Sequence, residues 1–203
     1  MKALVITDIQ YDFLPGRPLG VPNGDEVIPV VNKLQHAFPL VVATQDWHPA
    51  DHSSFASSHQ DKEVYDKIMI HGIEQILWPD HCVQGTRGAQ LSDDLSQNAI
   101  EAIFRKGMDR EIDSYSAFFD NEHKKSTGLA DYLKGRGVRQ VYITGLAADF
   151  CVGFTVLDAL REGFDTYLIE DASRAISQEG YKQIRDKIMR QGGKIVYSNE
   201  LLN

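Results

Sequence analysis

Cysteine is scarce in this sequence: Cys82 and Cys151 are the only two. A disulfide framework is therefore not expected, and each is read as a thiol. Long apolar runs are missing as well. No stretch approaches the roughly 20 residues that a membrane-spanning helix needs, so no membrane partner is expected. The apolar N-terminal run meets Asp8 too early for a secretory signal, and a cytoplasmic location is expected. Positive charge is in deficit, with Lys+Arg 21 against Asp+Glu 29 and a formal net charge of -8. That balance disfavours nucleic acids and anionic membranes, both polyanions, as partners. Linkers, repeats and low-complexity tracts are absent too, so residues 1–203 are expected to form a single domain.

What is present alternates in type. Ala3–Asp8, Leu40–Gln45, Ala99–Arg105, Val138–Thr144, Thr166–Glu170 and Lys194–Tyr197 read as strands. They are apolar without clean alternation, as expected where both sheet faces are covered. Gly24–Phe38, Leu129–Lys134, Cys151–Glu162 and Gln178–Gln191 read as helices, several stopped by glycine. Strands alternating with helices predict a three-layer α/β/α fold around a mostly parallel, about six-stranded Rossmann-like sheet. One long irregular region, from Trp47 to about Gln97, interrupts the pattern. Loops of that length usually carry function.

Ligands of open parallel sheets bind beyond the carboxyl ends of the strands. Asp8 and Asp46 end the first two strands, Lys106 follows the third, and the segment from Gly145 to Cys151 follows the fourth. Each has an ordinary structural alternative as a cap, a turn residue or a solvated charge. Their convergence on one rim is what a purely structural account does not predict. Cys151 also opens a helix, where free N–H groups and the dipole lower a thiol's pKa and can hold an oxyanion. A carboxylate to take the thiol proton and a lysine to favour the thiolate complete a covalent-catalysis set. Cys82 has no such surroundings and is expected to be a buried small hydrophobe.

Asp46 and His48 stand two residues apart on an extended segment, so their side chains share one side. His52 follows closely, and His81 lies within Trp78–Val83. Mixed imidazole and carboxylate donors suit Zn²⁺, Fe²⁺ or Mn²⁺ better than Ca²⁺. On spacing alone this is a weak signal. His36, His59, His71 and His123 are expected to be surface residues.

Six segments, in order, resemble the nicotinamidases of the isochorismatase-like hydrolase superfamily. They are Thr7–Phe13, Thr44–Pro49, Trp78–Thr86, Arg105–Gly107, Asp113–Phe118 and Gly145–Val152. The resemblance implies an isochorismatase-like hydrolase fold and hydrolysis of nicotinamide to nicotinate and ammonia through a cysteine thioester, with pyrazinamide as a second substrate. It implies Asp8, Lys106 and Cys151 as the catalytic residues, and Ala147 and Cys151 as backbone oxyanion donors beside a cis Leu146–Ala147 bond. Asp46, His48 and His81 would hold one divalent metal, Zn²⁺ ahead of Fe²⁺ or Mn²⁺, with His52 at a variable fourth position. Phe13, Leu19, Trp78 and Tyr115 would surround the pyridine ring, and Phe150 stands where some members carry a polar residue. Whether the chain forms a homo-oligomer is left open. The rival readings are a metal-hydroxide hydrolase in which Cys151 merely packs, an isochorismatase or carbamoyl-amide hydrolase, and a non-catalytic binding protein on the same fold.

Overall fold

The computed structural model of the chain describes residues 1–202. The strands are β1 (Lys2–Thr7), β2 (Val41–Asp46), β3 (Lys67–Ile70), β4 (Ile73–Ile76), β5 (Ile100–Lys106), β6 (Gln140–Leu146), β7 (Asp165–Arg174) and β8 (Lys194–Val196). The helices are α1 (Val27–Leu34), α2 (Leu129–Gly135), α3 (Cys151–Arg161) and α4 (Gln178–Arg190). Six strands form one parallel sheet in the order β5-β2-β1-β6-β7-β8.

Side chains alternate across a strand, and here the alternation sorts the core into two layers. Leu4, Ile6, Val41, Ala43 and Tyr142 face one way, toward Val27, Ile28, Val31 and Leu34 of α1. Ala3, Val5, Val42, Val141 and Ile143 face the other, toward Leu133 of α2, Val156 of α3 and Ile188 of α4. The expected three layers are therefore present. Pro29 sits in the first turn of α1, where a missing N–H is tolerated. The expected helix over 24–38 is an α-helix flanked by two 3-10 turns, Gly24–Glu26 and Gln35–Ala37.

Two expectations need correction. The sheet is not covered on both faces throughout: the edge strand β5 alternates in burial, and Ile103 is 46% exposed. The region 47–97 is not wholly irregular, because β3 and β4 pair antiparallel within it. Their turn is His71-Gly72, both at positive φ, without the Asn-Gly or Asp-Gly pair that marks such turns in a sequence.

The chain lays β1, β2 and β5 in one direction and then returns to the other side of β1 for β6, β7 and β8. The order thus reverses between β1 and β6, and ligands bind at the carboxyl ends beside such a reversal. Strand register decides which residues meet there. Thr7 pairs with Gly145, and Asp46 pairs with Lys106. Gly145 has φ +119°, and a Cβ there would fall 2.0 Å from the Thr7 carbonyl oxygen. That closeness brings Asp8 and the Leu146–Cys151 segment together.

Leu4 is fully buried at the sheet centre. Leu4→Ala should cost about 2–5 kcal/mol, whereas Ile103→Ala on the open face should cost no more than about 0.5 kcal/mol. Urea denaturation of both variants measures the contrast.

Candidate active site

Lys106 ends β5 with a side chain wholly shielded from solvent. A buried ammonium must be matched by acceptors, and four groups surround this one. Its Nζ lies 2.6 Å from Asp46 Oδ1 and 2.9 Å from Asp8 Oδ2, and it donates to the Ser114 carbonyl at 2.9 Å. The Cys151 Sγ is 3.4 Å away. Asp8 follows β1 at φ 50°, and Thr44 of β2 donates its hydroxyl to Asp8 Oδ1 at 2.6 Å. Cys151 is the first residue of α3, where N–H groups have no intrahelical partner. The preceding Leu146–Ala147 peptide bond is cis. The structure therefore brings together the aspartate, lysine and cysteine that the sequence nominated.

Two carboxylates around one ammonium leave an excess of negative charge, and burial decides where it is relieved. Desolvation raises the Asp8 pKa above its ordinary value, despite the attraction of Lys106. For Asp46 burial works the same way, but Lys106 and then His48 outweigh it and hold its pKa down. The Cys151 thiol is pushed well up by burial, against the pull of Lys106. The expectation that the helix terminus and Lys106 would lower the pKa of this thiol is not met. The buried site holds a neutral thiol beside a carboxylate able to accept its proton.

Asp46 also belongs to a second group. Its Oδ2 lies 3.5 Å from His48 Nε2 and 3.9 Å from His81 Nε2. His48 donates from Nδ1 to the Gly107 carbonyl, and His81 donates from Nδ1 to the Pro79 carbonyl, each at 2.8 Å. A carbonyl can only accept, so both rings carry a proton on Nδ1 and turn Nε2, the nitrogen that could bind a metal, toward Asp46. The buried His48 Nε2 has no hydrogen-bond partner. Two atoms bound tetrahedrally to one Zn²⁺ stand about 3.3–3.5 Å apart. The three side chains thus fit a divalent metal. Gly107 contributes by having no side chain: at its φ of +64°, a Cβ would sit 2.3 Å from the His48 ring.

His52 lies beside His48, with ring centroids 4.4 Å apart, in a separate group with His48 and Asp113. Its Nδ1 lies 2.7 Å from the Ser54 hydroxyl, and its buried Nε2 has no hydrogen-bond partner. Cys82 is fully buried, and burial raises its thiol pKa well up, as expected of an inert residue. Among the other histidines His36, His71 and His123 are exposed, and His59 is half-buried.

A cavity of about 330 Å³ opens over both groups. Cys151 and Ala147 line one part, and Asp46 and His81 another. Phe13, Leu19, Trp78 and Tyr115 form its walls, as the sequence suggested, joined by Phe150. The Phe150 ring meets Trp78 edge-on at 4.9 Å and Tyr115 at 5.4 Å.

Four contributors went unnoticed in the sequence. Gln10 donates to the Asp46 carbonyl and accepts from the Asp46 N–H, both at 2.8 Å, so it fixes the backbone of that residue. Gly107 and Asp113 were inside matched segments but carried no assigned task. Ile176, also on the cavity wall, follows β7. The strand-end rule would have found it had β7 been expected to run to Arg174.

Removing Lys106 would leave two buried carboxylates without their cation. Lys106→Met should therefore destabilise the metal-free protein by about 3–5 kcal/mol, measured by urea unfolding at neutral pH.

Comparison with known proteins places this geometry. The isochorismatase domain model matches residues 2–200. A nicotinamidase of Acinetobacter baylyi is 48% identical over 89% of this chain and 85% of its own. The solved nicotinamidase/pyrazinamidase of Acinetobacter baumanii superposes with a TM-score of 0.97 at 44% identity, covering 99% of this chain and 98% of that one. The pyrazinamidase of Pyrococcus horikoshii, solved with zinc, gives a TM-score of 0.79 at 38% identity over 97% and 98%. The chain belongs to the isochorismatase family and, within it, to the nicotinamidases.

Proposed function

We propose that this cavity hydrolyses nicotinamide to nicotinate and ammonia, and accepts pyrazinamide as a second substrate. The observation that carries the reading is the shared cavity: one small aromatic-walled space exposes both a nucleophile and a metal-binding set. Its aromatic and apolar walls, with a few convergent polar groups, suit a flat single-ring substrate.

Asp46, His48 and His81 would hold the metal, which we take to be Zn²⁺ from the mixed donor set. When bound, the ion supplies an electrophilic anchor for the ring nitrogen. His52 stands beside His48 at the variable fourth position. Phe13, Trp78 and Tyr115 pack against the ring faces and edges, Leu19 closes the entrance, and Phe150 keeps the wall apolar.

The chemical work falls to the chain's own groups. Asp8 accepts the Cys151 proton, and Lys106 stabilises the thiolate as it forms. The sulfur attacks the carboxamide carbon, and the N–H groups of Ala147 and Cys151 hold the oxyanion. Asp8 returns its proton to the departing ammonia, leaving a thioester on Cys151. Water, deprotonated by Asp8, then hydrolyses the thioester to nicotinate and frees the thiol.

Ammonia release from nicotinamide tests the reading directly, and absence of release by metal-loaded protein would sink it. Cys151→Ala should abolish turnover, a fall on the order of 10⁶-fold, while metal content measured on the purified protein stays unchanged. Retained activity in that variant would favour a metal-hydroxide mechanism instead. His81→Ala should lower metal content and turnover together.

Because Asp8 must be ionised to take the proton, activity should fall as pH drops through its raised pKa. The acid limb of kcat/KM should lie above 3.8, the ordinary aspartate value, and a pH–rate profile reads it.

A further inference from the structure

Asp149 lies on the segment that leads into Cys151, and it is 5% exposed. A buried carboxylate ordinarily has a cation beside it. Burial raises the pKa of this one, and backbone N–H donors, rather than a cation, oppose that rise. Ile176 donates its N–H to Asp149 Oδ1 at 3.0 Å, and Ser177 donates to Oδ2 at 2.8 Å. Ser177 is the N-cap of α4, so the carboxylate also sits at the positive end of a 13-residue helix. One residue earlier, Ala148 donates to the Arg174 carbonyl at 2.7 Å.

The two ends of this link are unequal. The Cys151 side is held from within α3: Val152 donates to the Ala147 carbonyl and Thr155 to the Cys151 carbonyl. The N–H of Ile176, on the short connection between β7 and α4, goes to Asp149. Ile176 is a wall of the cavity that contains Cys151. A charge buried without a cation therefore holds an apolar wall in register with the nucleophile.

We propose that Asp149 is a positioning residue for the substrate ring. It does not line the cavity, and it acts by fixing Ile176 in the wall of the cavity that Cys151 also lines. The inference rests on the nicotinamide-hydrolysis reading for its substrate. A wall that holds the ring before and during reaction alike contributes uniform binding, which appears in KM rather than kcat. Asparagine has one acceptor oxygen in place of two, so Asp149→Asn keeps the shape and loses one of the two bonds.

The test compares four variants of the metal-loaded protein: Asp149→Asn, Ile176→Ala, their double, and Ser177→Ala. Asp149→Asn and Ile176→Ala should each raise KM for nicotinamide about tenfold with kcat within about twofold. The double variant should be no worse than the weaker single, because both remove one wall. Ser177→Ala removes the cap bond to Gly180 but keeps the N–H that reaches Asp149. It should lower Tm and leave KM and kcat as in the wild type.

An unchanged KM in Asp149→Asn, full additivity in the double, or a KM rise in Ser177→Ala would overturn the proposal. The rate of Cys151 alkylation by iodoacetamide, read by mass spectrometry, gives a measure free of turnover. Asp149→Asn and Ile176→Ala should quicken it equally and non-additively, and an unchanged rate overturns the proposal. If the wild type released no ammonia, the function would fall while the alkylation rates still decided the role of Asp149.

Discussion

The buried ammonium of Lys106 is the interaction on which the site depends. It contacts Asp46 of the metal-binding group and lies within reach of both Asp8 and Cys151 of the nucleophile group. Without it, Asp8 and Asp46 would be two carboxylates confined together in a medium of low polarity, where like charges cannot both persist. Lys106 lowers the pKa of both, and their other neighbours separate them. For Asp46, Lys106 and His48 outweigh burial and favour the ionised form, whereas for Asp8 burial and the nearby Asp46 charge outweigh Lys106 and favour protonation. Different surroundings suit two chemically identical side chains to the different tasks proposed for them.

The surroundings repeat this economy at the backbone level. Gln10 grips Asp46 through both amide ends, and the Gly107 carbonyl orients His48. These groups touch no substrate in the proposed reaction. They fix which nitrogen of His48 faces Asp46 and where the Asp46 backbone sits, and ligand precision is set at this outer layer.

The six strands of the sheet and its four α-helices were legible in the sequence because they are short apolar runs or glycine-stopped helical segments. Asp8, Asp46, Lys106 and Cys151 were legible because strand ends on one rim of a parallel sheet are where ligands bind. The hairpin β3–β4 was hidden: four-residue runs are ambiguous, and the His71-Gly72 turn reaches positive φ without an asparagine or aspartate to announce it. The direction of the Cys151 pKa was also hidden. Helix position favours the thiolate, but complete burial beside two carboxylates opposes it more strongly, and burial is a property of the fold rather than of the local sequence. Gln10, Asp149 and Ile176 act through contacts with residues far along the chain, which no local pattern encodes.

Asp46 and Lys106 are partners in strand register, and Lys106 is carried by β5, an edge strand paired on one side only. The cation of the proposed site is thus delivered from the rim of the sheet rather than from its centre. Any displacement of the end of β5 would withdraw the charge from Asp8, Asp46 and Cys151 at once. The order of a sheet edge and the chemistry of the cavity are therefore coupled.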